Sequence, residues 1–172
     1  RNNALGATST TTAFTVTLST TAANDIIILE FCHRSTTAGS VFGTYDGPAF
    51  SSKVSQLFAT STFSGKTLYS RATGDHNGQT ISVSSLVNSC AGIATVYTGA
   101  IKEGDPLADA AVVGEQNASA DESNGQISTV TVGAWPVLVV VNSPDLAVTS
   151  QACTSPGTLL EKAERLSTGG TD

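Results

Sequence analysis

The chain has 172 residues, 40% of them hydrophobic and 13% charged, with a formal net charge of −6. That length fits one domain with a real core, and the charged share is about half the usual ~25%. Eight basic against 14 acidic side chains exclude a phosphate-backbone binder. The low charge excludes highly charged disorder. The longest apolar runs, Ile26 to Leu29 and Val137 to Val141, fall far short of the ~20 residues of a membrane-crossing helix. Thr (25) and Ser (21) together exceed a quarter of the chain, so its polarity comes from hydroxyls rather than charges. Met is absent and Arg stands first, which suggests a processed or cut start.

Strand signals dominate in chain order. Arg1 to Thr12 is a Ser/Thr-rich arm with no strand pattern of its own. Phe14 to Leu18 alternates apolar and polar, which puts Phe14, Val16 and Leu18 on one face. Asn24-Asp25 turns into Ile26 to Cys32, a run apolar on both faces at its start and therefore expected as a central strand. Thr36 to Pro48, with three glycines and Asp46-Gly47, predicts a loop. Val54 to Thr60 and Lys66 to Ala72 flank a hairpin-length connection, in which Gly65 is a turn residue and Lys66 a strand-edge charge. Gly74 to Gly78 is a further turn. Thr80 to Leu86 alternates, and Ala91 to Tyr97 has the content of a buried strand. A polar stretch from Gly114 to Gly125 precedes two more expected strands, Ile127 to Val132 and Val137 to Val141. Leu159 to Leu166 has helix formers at helical spacing, but the surrounding pattern favours a strand. The fold class expected is all-β: a two-sheet antiparallel sandwich of about nine or ten short strands. The domain spans 13–166, between an arm at 1–12 and a turn-like tail at 167–172.

The search for chemistry finds little. Cys32, Cys90 and Cys153 are widely spaced, lack a Cys-x-x-Cys pair and leave a zinc set one ligand short. A disulfide among them is open, with the pairing undetermined, beside the alternative of three small buried hydrophobes. His33 and His76 are the only histidines; there is no Gly-x-Ser-x-Gly elbow, and His76, in a polar turn beside Asp75, is expected to be solvated. Ser64-Gly65-Lys66-Thr67 resembles the end of a phosphate loop, but position 60 is Thr rather than Gly. Asp105, Asp109, Asp121 and Glu122 lack the spacing of a calcium loop. We therefore assign no catalytic, cofactor-binding or metal-binding residue. Tyr45 and Asp46, in the Gly-rich loop, are the best candidates for a ligand loop. Tyr69 and Tyr97 are expected to pack in the core, and Trp135 to seal the edge of the sandwich. Asn117-Ala118-Ser119 is a glycosylation sequon in a polar stretch.

Three stretches carry a resemblance: Gly92 to Ala100 followed by Asp105-Pro106-Leu107-Ala108-Asp109, then Asn24-Asp25-Ile26-Ile27-Ile28, then Leu68-Tyr69-Ser70-Arg71-Ala72-Thr73-Gly74. Their order and spacing resemble a group of prokaryotic and phage β-sandwich modules found in virion tail and fibre proteins and in bacterial or archaeal surface proteins. The resemblance implies a jelly-roll-like sandwich and a non-catalytic, structural or adhesive role, and it transfers no catalytic residues. The chain departs from the group at Trp135-Pro136, where Gly-Asp is usual, and at Asp172, where the group continues into a closing strand.

The function expected is a structural or adhesive module of an extracellular assembly: a virion fibre, tail or decoration protein, or a cell-surface filament. Its expected partners are copies of itself or other structural proteins of that assembly, without nucleic acid, cofactor or membrane span. Strand exchange would complete the open sandwich, with the arm, or Phe14, Val16 and Leu18, as the donated strand. The alternative is a carbohydrate- or receptor-binding module reaching surface glycans through Tyr45 and Asp46.

Overall fold

The computed structural model describes residues 2–5, 14–33, 40–57, 64–84 and 91–99, with side chains described at 15–31, 44–52, 66–83 and 92–99. Eight strands follow one another: β1 (Asn2–Leu5), β2 (Phe14–Thr17), β3 (Ile26–His33), β4 (Ser40–Gly43), β5 (Ser51–Leu57), β6 (Ser64–Arg71), β7 (Thr80–Ser84) and β8 (Ala91–Tyr97). The described residues hold no helix. The strands form two antiparallel sheets, one of five strands in the order β1-β8-β3-β6-β5 and one of three in the order β2-β7-β4. Only the β5–β6 connection stays within a sheet; the others cross between the two.

Alternation explains which side chains meet. Val16 of β2 and Ile81 and Val83 of β7 join Ile27, Leu29 and Phe31 of β3, Leu68 of β6, and Ala94 and Val96 of β8 in one buried cluster. Both sheets thus contribute to the same core, and the period of two sends the intervening residues to the opposite face. On β3 those are Ile26, Ile28 and Glu30, and the two isoleucines are nevertheless only 1% and 4% exposed. Thr95, level with Ile28 on the neighbouring β8, is buried as well. The five-stranded sheet is therefore covered on both faces around its central strand, the pattern expected of the apolar run Ile26 to Leu29. On the three-stranded sheet, Thr15 pairs with Ser82 through their hydroxyls at 2.9 Å. Here Thr serves as the polar β-branched residue of an outward strand position.

Four expectations are corrected. The segment Thr36 to Pro48 is not all loop, because Ser40–Gly43 forms β4 against β7. Gly65 is not a turn residue but a strand residue, opposite Cys32 on one side and Gln56 on the other. Lys66 therefore stands on an interior strand, since β6 lies between β3 and β5. The arm is not featureless, as Asn2–Leu5 is paired with β8 from Asn2↔Val96 to Leu5↔Ile93. The strands expected at 127–132 and 137–141, the segment 159–166, and Cys90, Cys153, Asn117 and Trp135 lie outside the described residues.

Candidate functional site

The richest polar cluster among the described side chains lies where three connections meet: β2–β3, β4–β5 and β6–β7. The β2–β3 turn is built first. Asn24 takes a left-handed φ of 75°, which Asn tolerates better than most residues. That turn brings the Asp25 carboxylate back to the N–H of Ala22 at 2.9 Å. Backbone bonds from Asn24 N–H to the Ala72 carbonyl and from Ala72 N–H to the Asp25 carbonyl, both 2.8 Å, fasten it to the end of β6.

Thr21 then joins this turn to the β6–β7 connection. Its hydroxyl donates to the Gly74 carbonyl at 2.7 Å and accepts the His76 N–H at 2.9 Å. One carboxylate oxygen of Asp75 accepts the N–H groups of Thr21 and Asn77 at 3.2 and 3.0 Å. Asp75 is thus committed to backbone amides. The turn closes with Gln79 N–H on the His76 carbonyl. Gly78, at a φ of +78° that favours glycine, donates to the Leu18 carbonyl.

His76 is the centre of the cluster and, contrary to expectation, is not solvated: it is 4% exposed. Its Nε2 accepts the Thr73 N–H at 3.4 Å, so the neutral ring carries its proton on Nδ1. Nδ1 lies 2.7 Å from Oδ1 of Asp46, a residue 70% exposed on the β4–β5 connection. That separation is short enough for a hydrogen bond, but Nδ1 has no partner in hydrogen-bonding alignment. The contact is a close electrostatic pairing. The Gln79 side chain holds the Asp46 carboxyl below its usual range; burial opposes this, and His76 adds to the lowering. Gln79 also accepts the Asp46 N–H at 3.1 Å, so one amide fixes both the backbone and the carboxylate of Asp46.

Tyr45 caps this arrangement. Its ring meets His76 edge-on at a centroid distance of 4.8 Å and an angle of 66°, and lies 5.4 Å from Phe50. Tyr45 and Phe50 both pack against the core cluster. Ser70 gives its one hydroxyl proton to the Pro48 carbonyl at 2.6 Å, so Tyr45 must be the donor in its 3.0 Å bond to Ser70. Burial raises the Tyr45 phenol above its ordinary value; the Ser70 bond opposes this, and the nearby Asp46 carboxylate adds to it. A Cβ at Gly47 would collide with the Tyr45 phenol, which explains the glycine. Of the two ligand-loop candidates, Tyr45 is therefore turned into the protein, while Asp46 reaches solvent.

No family model, curated protein or solved structure matches this chain. The cluster must be read on its own chemistry. A histidine–carboxylate pair is the beginning of a general base, but here Nε2 faces an amide donor and the ring is shut beneath Tyr45. Among the described residues no group of three or more His, Cys, Asp or Glu side chains is placed to hold a metal ion, and no helix is long and apolar enough to cross a membrane. Phe14–Thr17, the other strand singled out from sequence, pairs with β7, and Val16 and Leu18 are buried in the shared cluster.

A second titratable group escaped the sequence reading. Glu30 lies in the middle of β3, opposite Thr67 on β6 and Ile93 on β8, on the face away from the cluster. Its Oε1 is buried and has no hydrogen-bond partner among the described residues. Burial raises its pKa from 4.5 to about 7. The signal available in the sequence was one carboxylate inside a run of apolar β-formers.

Proposed function

We propose that this chain is a non-catalytic structural module of an extracellular assembly, built as a jelly-roll-like sandwich and packing against copies of itself. The observation that carries this reading is how the polar side chains around His76 are used. Thr21, Asp75, His76, Gln79, Tyr45 and Ser70 each bind another connection or the backbone beneath it. Such a network stiffens one end of a fold rather than presenting groups to a substrate. The sandwich reading draws support from the cluster shared by both sheets and from connections that cross between them. Only 13% of the residues are charged, so few ionised groups lose their water where copies pack together.

Electron micrographs of the purified chain test the proposal. Particles or filaments of regular spacing are expected, and dispersed single domains at every concentration would overturn it. A glycan array, run on the same preparation, is expected to be silent. Specific glycan binding that is lost in Asp46→Ala would favour a carbohydrate-binding module instead.

A further inference from the structure

We propose that β1 is the exchangeable strand of this module: in an assembly, Asn2–Leu5 of one copy pairs with β8 of the next, in the register it holds within its own chain. This rests on the self-assembly reading and names the segment and the edge through which it works. The structure shows that the β8 edge accepts this sequence, antiparallel and without a bulge, from Asn2↔Val96 to Leu5↔Ile93. Among the described residues β1 is a terminal strand of the sheet, hydrogen-bonded to β8 alone.

The other candidate, β2, is a poor donor. Val16 and the adjoining Leu18 lie in the core cluster, so removing β2 would open the core. Removing β1 instead bares the main-chain edge of Ile93, Ala94, Thr95 and Val96, a β-rich template that demands another strand. An identical strand from a second copy restores the same ladder, so exchange costs no hydrogen bonds. Residues 6–13 (Gly6-Ala7-Thr8-Ser9-Thr10-Thr11-Thr12-Ala13) carry no charge. Eight residues span at most about 26–29 Å. Because β1 and β8 belong to one chain, their pairing is intramolecular and independent of concentration, whereas exchange between copies is favoured by bringing copies together. The closed form therefore prevails in dilute solution, and exchange prevails where copies are packed together.

Asn3 and Thr95 stand directly opposite in the ladder, which supplies the test. Two full-length variants, Asn3→Cys and Thr95→Cys, are made with Cys32, Cys90 and Cys153 replaced by alanine, then mixed, assembled and oxidised. A disulfide-linked dimer on a non-reducing gel, well above that of either variant alone, is expected. Assembly without the inter-chain link, while the double variant links within each chain, overturns the strand proposal and leaves the assembly reading standing. Absence of assembly in the wild-type chain overturns both. Should the alanine background not fold, deletion of residues 1–5 from the otherwise native chain decides. Loss of assembly, with binding of a peptide of residues 1–13 to the vacated edge, supports β1 exchange. Assembly equal to wild type refutes it.

Discussion

Replacing Glu30 with Gln should make the protein more stable in alkaline solution and abolish part of its pH dependence. In the unfolded chain the carboxyl loses its proton near 4.5, whereas in the folded chain burial keeps it protonated to about 7. Between those values the folded state binds more protons than the unfolded state, so stability falls as pH rises through this window. Below about 4.5 the penalty is absent, and above about 7 it is fully present. A shift from 4.5 to about 7 amounts to at most about 3–4 kcal/mol, at about 1.4 kcal/mol per pKa unit. For a chain of this size that corresponds to roughly 6–16 °C in Tm. The assay is a set of thermal and urea melts of wild type and Glu30→Gln from pH 4.5 to 8.5. The difference between the two proteins should widen in favour of the variant up to about pH 7 and then level off. Parallel profiles would refute the reasoning, because they would mean that Glu30 ionises in the folded state as freely as in the unfolded chain.

The other predictions concern packing. Gly47→Ala should drive the Tyr45 ring off Ser70 and cost about 1–3 kcal/mol in urea unfolding, whereas Gly74→Ala, where a Cβ meets open space, should cost much less. His76→Ala should destabilise by about 2–3 kcal/mol, through the lost ring beneath Tyr45 and an unpaired Thr73 amide. Asp46→Ala, at an exposed position, should have a much smaller effect; equal losses would contradict the reading of His76 as the buried member of the pair. Leu29→Ala in the central strand should cost about 2–5 kcal/mol, against little for Thr15→Ala, which loses one hydroxyl bond at an exposed position.

Much of the fold was legible because burial in a sheet imposes a period of two. The alternating runs Phe14 to Leu18 and Thr80 to Leu86 each hold a strand, Phe14–Thr17 and Thr80–Ser84, because one face meets the core. Ile26 to Leu29 does not alternate because both faces of β3 are covered. β4 was hidden: four residues, Ser40–Gly43, ending at a glycine within a Gly-rich stretch, give no period to read. Gly65 misled for a related reason, since a glycine flanked by polar residues has the look of a turn even when its backbone is paired on both sides.

The site was less legible than the fold. His76 sits in a local sequence of Gly, Asp and Asn that speaks for solvent, and its burial comes from Tyr45 and Asp46, some thirty residues away. Its sequence neighbour Asp75 turned out to serve the amides of Thr21 and Asn77 instead. Tyr45 is expected from its Gly-rich loop to face a ligand, but in the fold its hydroxyl points to Ser70 and its ring packs on the core. Long-range pairings of this kind leave no local pattern.

Self-association of the chain is measured by sedimentation velocity across a concentration series from micromolar to millimolar. A monomer is expected at the dilute end, with a defined larger species that grows with concentration. A single monomeric boundary throughout the series would contradict it.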